Sequence, residues 1–319
     1  MLNRSEILFL YDTTWSNPNG DPVDENKPRI DKETSKNIVT DVRLKRTIRD
    51  YLYEHKQMEI FVREIKNDQG NIQDAKQRAE DFLVQNGEKI SKSKLSLQEM
   101  KQIIYENMVQ QCIDVRLFGG TIPIEKSTKE KGSITLTGPV QFQMGSSMHK
   151  VKLHYVKGTG GFASKDNQTQ KTFREEYVLP YSLITFYGVV NEKAAFNTKL
   201  REEDIELLLE AMWNGTKSLI SRSKIGQQPR LLLNVVYKKG CFQIGELNRL
   251  VSFKSEKLDE EIRHVSEGIL YLDSLVRMLG KYHDRIQRID WIKDEAVATS
   301  HSLTDVCSAL GIEVRELSF

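Results

Sequence analysis

Apolar residues along this chain change their period from two to about 3.6 and back again, and the order of those changes leaves few folds open. Ser5–Asp12 (SEILFLYD) reads as a buried strand, bounded by the turn-rich stretch Asn17-Pro-Asn-Gly-Asp-Pro22. Thr40 is placed to cap a helix running to about Tyr53, with Leu44, Ile48 and Tyr51 or Leu52 on its apolar side. Ile134–Met144 is strand-like although Gly138-Pro139 interrupts it, and Ser182–Val190 (SLITFYGVV) is a second apolar strand. Asn197 or Thr198 is placed to cap a helix whose Ile205, Leu208, Leu209 and Met212 share one face, and Arg230–Tyr237 (RLLLNVVY) closes the series as a strand. Strand, helix, strand, strand, helix, strand predicts an α+β protein with the ferredoxin-like βαββαβ arrangement, which RNA-recognition modules also use.

Two insertions interrupt the series. Asp74–Asn86 reads as a polar helical stretch. Ser96-Leu-Gln-Glu99 is a capping box opening a helix with Leu97, Met100, Ile104 and Met108 at helical spacing. Gly145–Tyr177 is basic and hydroxyl-rich, holds Gly158-Thr-Gly-Gly161, and lacks the periodicity of a core element. From about Ser255 the chain reads as mostly helical. The expected layout is one elaborated domain over residues 1–319, with a core from residues 1–57, 112–144 and 178–254. A helical insert covers residues 58–111, a basic insert residues 145–177 and a C-terminal helical part residues 255–319.

Hydrophobic residues make up 39% of the chain and charged residues 29%, the balance of a soluble protein with a core. No run approaches the ~18 apolar residues of a membrane helix. The N-terminal MLNRSEILFLYD lacks a signal-peptide cleavage site, and Cys112, Cys241 and Cys307 are scattered without metal spacing. A cytoplasmic protein with no membrane partner is expected. The net charge of +2 hides an uneven distribution. Lys131–Lys165 and Ala211–Gly245 hold five and six basic residues and no acid, so the remainder carries 36 − 45 = −9. Sheet-rich stretches are poor in acids for structural reasons; alternatively, a phosphate backbone lies against these segments.

Three stretches carry candidate chemistry. In Asp41–Arg49, Arg43 and Arg46 share one helical flank and Lys45 and Arg49 another, which suits phosphate oxygens but also suits an ordinary solvated face. Ser221-Arg-Ser-Lys-Ile-Gly-Gln-Gln-Pro-Arg230 offers hydroxyls, amides, glycine and three cations with no acid, although an exposed connector has the same composition. Thr137–Gly145 leads into the basic insert, where His149, Lys150, Lys152, Lys157, Phe162 and Lys165 form either an arm for a single strand or a surface loop. Catalytic constellations are thin. Asp21, Asp24, Glu25 and Asp31 cluster in the first loop and could hold Mg²⁺, while His149 and His154 are poorly spaced for a shared metal. Neither G-x-S-x-G nor H-E-x-x-H occurs.

Taken in order, Asn17–Pro22, Lys27-Pro-Arg-Ile30, Asn37–Arg49, Arg116-Leu-Phe-Gly-Gly120, Thr137–Met144, Leu179–Asn191 and Gln227–Val236 resemble the Cas-seven backbone subunit of type I-B Cascade. That subunit is a RAMP-superfamily member of a CRISPR antiviral interference complex. The resemblance runs to about Tyr237. It implies a modified RNA-recognition palm (the core segments above), helical fingers, and a thumb formed by the basic insert. It also implies copies stacked head to tail along a CRISPR RNA, an end-capping CRISPR-associated subunit, a large subunit, and target DNA paired with the guide. By the same resemblance guide contact falls on Asn19, Arg43, Arg46, Gln141, Arg222, Lys224 and Gln227, with no cofactor, no metal and no catalytic residue. The alternative is a RAMP-type endoribonuclease, which would process CRISPR RNA or cut target RNA through a loop aspartate such as Asp21, Asp24 or Asp31.

Overall fold

Ser5–Ser16 (β1) is the strand around which the largest sheet is built, and Ile7 through Leu10 are at most 1% exposed. Burial on both faces explains why the sequence here is a continuous apolar run and not an alternation. The computed structural model describes residues 3–67, 69–163 and 171–319, and the chain divides into two compact units. The first comprises Ile48–Gln141, Val189–Ala211 and the N-terminal residues to Arg4; the second comprises Ser5–Thr47, Phe142–Gly188 and Met212–Phe319.

Among the other strands of the large sheet, those centred on the second unit are Ile38–Val39 (β2), Gly145–Ser147 (β3), His154–Ala163 (β4), Lys171–Val190 (β5), Gln228–Tyr237 (β6), Ile286–Lys293 (β7) and Glu313–Glu316 (β8). Their hydrogen-bonded order is β8-β7-β6-β1-β5-β3-β2, with β4 paired to β5 off that path. β1 and β6 run antiparallel from Ser5↔Val236 to Asp12↔Gln228, with a bulge at Leu10/Tyr11. β6 and β7 are antiparallel while β7 and β8 are parallel, so the sheet is mixed. Glu6 is fully buried beneath it. Its carboxylate accepts hydrogen bonds from the Tyr187 and Tyr237 hydroxyls and from the backbone N–H groups of Ile244 and Gly245, both at 2.8 Å.

The C-terminal part departs from the helical expectation. Beyond Ser255 the only α-helices among the described residues are Asp273–Lys281 and Leu303–Leu310, while β7 and β8 extend the main sheet. Ser252–Ser255, Gly268–Tyr271 and Ala298–Thr299 form a separate three-stranded sheet. Charged residues inside these strands masked their period. Asp290 is 1% exposed, and accepts from Asn234 Nδ2 at 3.0 Å, Arg288 Nε at 3.0 Å and Arg315 Nε at 2.8 Å. A buried ionic network thus looks like a helix surface when only the sequence is in view.

The basic insert is only partly an arm. β3 belongs to the main sheet, and a Cβ on Gly145 would fall 2.4 Å from the Phe186 ring, so glycine lets the chain enter there. Ser147, His149 and Val151 are buried. β4 and β5 then pair antiparallel from His154↔Val178 to Gly158↔Arg174, and the 20-residue β5 continues into the main sheet. Residues 164–170, including Lys165, lie outside the described residues.

In the first unit the capping box is present, with Ser96 and Glu99 bonding reciprocally at the start of helix Leu97–Gln111. Met100, Ile104 and Met108 are fully buried in a core with Phe61, Phe82 and Ile122. The polar stretch after Asp74 is helical only over Ala75–Glu80. Gly119–Glu125 and Lys131–Thr137 form an antiparallel hairpin. Asn197 and Thr198 end a short helix, Glu192–Thr198, that Asn191 caps; the longer helix starts at Glu202, after Lys199 in the left-handed region. No described helix is long and apolar enough to cross a membrane.

Candidate nucleic-acid interface

In the second unit the two loops singled out by composition are strapped together. Asn17 N–H donates to Ser223 C=O at 2.8 Å, joining the turn after β1 to the segment before β6. Asn19 Oδ1 accepts from both the N–H (2.8 Å) and the hydroxyl (2.9 Å) of Thr40, whose own hydroxyl accepts the Arg43 N–H at 3.3 Å. Asn19 therefore fixes the N-terminal cap of helix Asp41–Glu54 and with it the position of Arg43.

Arg43 is partly buried, with Nη2 donating to Thr47 Oγ1 at 3.2 Å, and Arg46 is exposed one turn on. Lys224 is partly buried, its Nζ bonded to Ser223 Oγ at 3.3 Å. Burial, and after it the positive charge of Arg43, draws the Lys224 ammonium below its ordinary lysine value. Two cations therefore share one field where water is scarce, an arrangement that an anion relieves. Gln227 is 4% exposed and its Nε2 has no hydrogen-bond partner among the described residues; the same holds for Asn17 Oδ1. Buried amides left this way are uncommon in proteins.

Arg222 lines a cleft of about 300 Å³ with Asn17, Glu25, Glu175, Glu176 and Tyr177 among others, so one cation faces three acids, and its Nη2 is 3.4 Å from Glu176 Oε2. Lys27 Nζ stands 4.9 Å from the centre of the Tyr177 ring. Gln141 belongs to the first unit, where it is exposed and donates to Gly138 C=O at 2.9 Å. Asn19, Arg43, Arg46, Arg222, Lys224 and Gln227 all lie in the second unit.

Several cations counted in the sequence serve the fold instead. Arg230 is 7% exposed, held by Asp12 Oδ2 at 2.9 Å and Asp294 Oδ1 at 2.7 Å. Lys45 pairs with Asp41 at 3.0 Å and Arg49 with the buried Asp114 at 2.9 Å. His149 is a core histidine, stacked on Tyr181, with Nε2 accepting the Leu183 N–H at 3.2 Å and Nδ1 2.9 Å from Lys150 C=O. Asn17 and Glu176 were missed as candidates. Asn17 was legible only as a turn residue, and nothing local in the sequence sets Glu176 opposite Arg222.

The acids of the first loop are engaged by their neighbours. Asp21 pairs with Arg29 at 2.8 Å, Asp24 and Glu25 with Lys27 at 2.9 and 3.1 Å, and Asp31 accepts from Thr34 and the Glu33 N–H. Among the described residues no three His, Cys, Asp or Glu side chains gather as metal ligands.

Fold and site together define a class: an α+β protein with a mixed central sheet, whose loops carry partly buried cations and buried side-chain amides. The chain belongs to the CRISPR-associated protein Cas7 family, whose model matches residues 3–273. It is 31% identical to CRISPR-associated protein Cas7 of Haloferax volcanii, over 92% of this chain and 87% of the relative. Its fold is similar to a chain of a CRISPR RNA-guided surveillance complex in a pre-nicking state, with a TM-score of 0.55 and 13% identity over 97% of this chain and 99% of that one. A chain of another CRISPR RNA-guided surveillance complex gives 0.52 and 13%, over 97% and 98%.

Proposed function

We propose that this chain is the guide-RNA-binding backbone subunit of a type I-B Cascade, several copies lying head to tail along a CRISPR RNA and presenting it for pairing with target DNA. An end-capping subunit and a large subunit complete the assembly, and the chain itself has no catalytic role. The observation that carries this reading is the Arg43/Lys224 pair, two partly buried cations that feel one another's charge, with the unpartnered Nε2 of Gln227 three residues along the chain from Lys224. A phosphate between them satisfies both charges. Asn19 positions Arg43, Arg46 and Arg222 extend the cationic surface, and Gln141, in the first unit, is proposed separately as a guide contact.

The strand order β6-β1-β5-β3 supports the palm reading, since it is the fourth-first-third-second order of a βαββαβ domain. The β4–β5 hairpin serves as the thumb, anchored by its continuation into the main sheet. The neutralised first-loop acids support a non-enzymatic role over RNA cleavage by a loop aspartate.

Binding of single-stranded RNA measured against salt tests the proposal. Each phosphate neutralised contributes about −0.7 to the slope of log affinity against log salt. Arg43→Gln and Lys224→Gln are each expected to reduce the slope by about that amount, with little change among scrambled sequences of equal length. A salt-independent affinity, or slopes unmoved in both variants, refutes it.

A further inference from the structure

Trp15 is 56% exposed near the end of β1, and the backbone holds it there. Its φ is +46°, in the left-handed region that bulky aromatic residues rarely enter. Thr13 and Ser16, which bracket the exposed Thr14-Trp15, are buried with their hydroxyls in contact. The β1–β6 register ends at Asp12↔Gln228, so Trp15 lies in the last residues of β1, past its pairing with β6. Its contact with the His154 ring is T-shaped, with centroids 5.6 Å apart and planes at 81°. That contact braces the indole and covers at most one of its faces. Two residues later, the Asn17–Ser223 hydrogen bond straps the end of β1 to the loop that bears Arg222 and Lys224.

A strained backbone that turns an aromatic ring toward solvent, beside a cation-bearing loop, is the chemistry of sequence-tolerant single-strand binding, because every base offers a π-face. We propose that Trp15 is a stacking platform for an unpaired base of the bound RNA, the phosphates on either side falling to Arg222 and Lys224. The inference rests on the RNA-binding function proposed above. The cations of the strapped loop, Arg222 and Lys224, favour a nucleobase with its phosphates over the apolar surface of a neighbouring copy.

The full-length protein is titrated with oligouridylate and oligoadenylate of roughly eight nucleotides, following anisotropy and tryptophan fluorescence. Of the three tryptophans Trp213 is buried and Trp291 only partly exposed, so quenching by a stacked base that is lost in Trp15→Phe reports on Trp15. Quenching is expected in the wild type and is expected to be lost in both Trp15→Ala and Trp15→Phe. Trp15→Ala is expected to bind roughly 5- to 150-fold more weakly. Its salt slope is expected to be unchanged, since no phosphate contact is removed. Trp15→Phe should regain most of that affinity, and an abasic RNA of equal length should bind wild type and Trp15→Ala alike.

Wild-type affinity of Trp15→Ala for the short RNAs overturns the inference. If assembly on long RNA is nevertheless weakened, the indole belongs to a contact between copies. Should Trp15→Ala melt at lower temperature, Trp15→Phe decides, and a phenylalanine variant no better than alanine refutes stacking. A wild type that binds none of these RNAs, or any longer one, overturns the functional reading and this inference together.

Discussion

Removing Arg116 from the first unit is expected to destabilise that unit strongly. Its side chain and that of Asp204 are 3% and 4% exposed and meet through two parallel hydrogen bonds, Nε–Oδ2 and Nη2–Oδ1, both 2.8 Å. Arg116 Nη1 also donates to Val109 C=O and Gln110 C=O, both at 3.0 Å, at the end of helix Leu97–Gln111. Asp204 Oδ2 in turn accepts the Arg201 N–H at 3.0 Å. Arg116→Met leaves a buried carboxylate without its counter-charge and two carbonyls without a donor. Breaking one side of a buried pair costs about 3–5 kcal/mol. Asp204→Asn keeps an acceptor for Arg201 but strands a guanidinium charge, so a similar loss is expected.

The double variant, Arg116→Met with Asp204→Asn, removes both charges and is expected to recover at least about 1–2 kcal/mol relative to the sum of the singles. Urea unfolding, together with hydrogen exchange at the buried amides of Met100, Ile104 and Met108, measures both quantities. Single variants that cost less than about 1 kcal/mol, or a double variant no better than the sum, would refute the reasoning. The RNA salt slope should be unaffected in any variant that folds, which separates this arginine from Arg43.

Burial holds the His149 imidazole below its ordinary value of 6.5. Its contribution to stability is therefore present above about pH 6.5 and lost as the pH falls, because the unfolded chain takes up the proton first. Thermal melts from pH 8 to pH 5 should show that loss, and a His149→Gln variant with an equally steep acid limb would contradict it. Gly119 has φ +62° and a Cβ there would fall 2.2 Å from Leu136 C=O, so Gly119→Ala is expected to lose more than about 1 kcal/mol. Gly120→Ala meets only Ile122 at 3.8 Å and should come close to wild type in the same urea titration; equal losses would remove the steric argument.

Much of the fold was legible where one period dominates. β1, β6, helix Asp41–Glu54 and the Ser96 capping box all fall within a few residues of the sequence expectation. What failed was legibility wherever tertiary partners overrule local pattern. β7 and β8 carry Arg288, Asp290 and Arg315 into a buried network, so their charges suggested helix surface. Gly145–Val151 appeared too polar for a core, yet inside it Ser147 Oγ donates to His149 C=O and His149 Nε2 accepts the Leu183 N–H. For the candidate site, residue types were readable but neighbours were not. The acid-free segment around Arg230 partly reflects β6, all of whose residues after Gln228 are buried. The Asn17–Ser223 strap, which joins two loops more than 200 residues apart in sequence, left no local trace.

The central claim, a subunit that holds CRISPR RNA, is tested most directly by sequencing the RNA that accompanies the tagged protein when it is purified from its own cells. The account predicts a population of narrow length, with ends at fixed positions within the repeat and varied spacer sequence between them. The absence of RNA, or fragments with random ends drawn from the whole transcriptome, would contradict it.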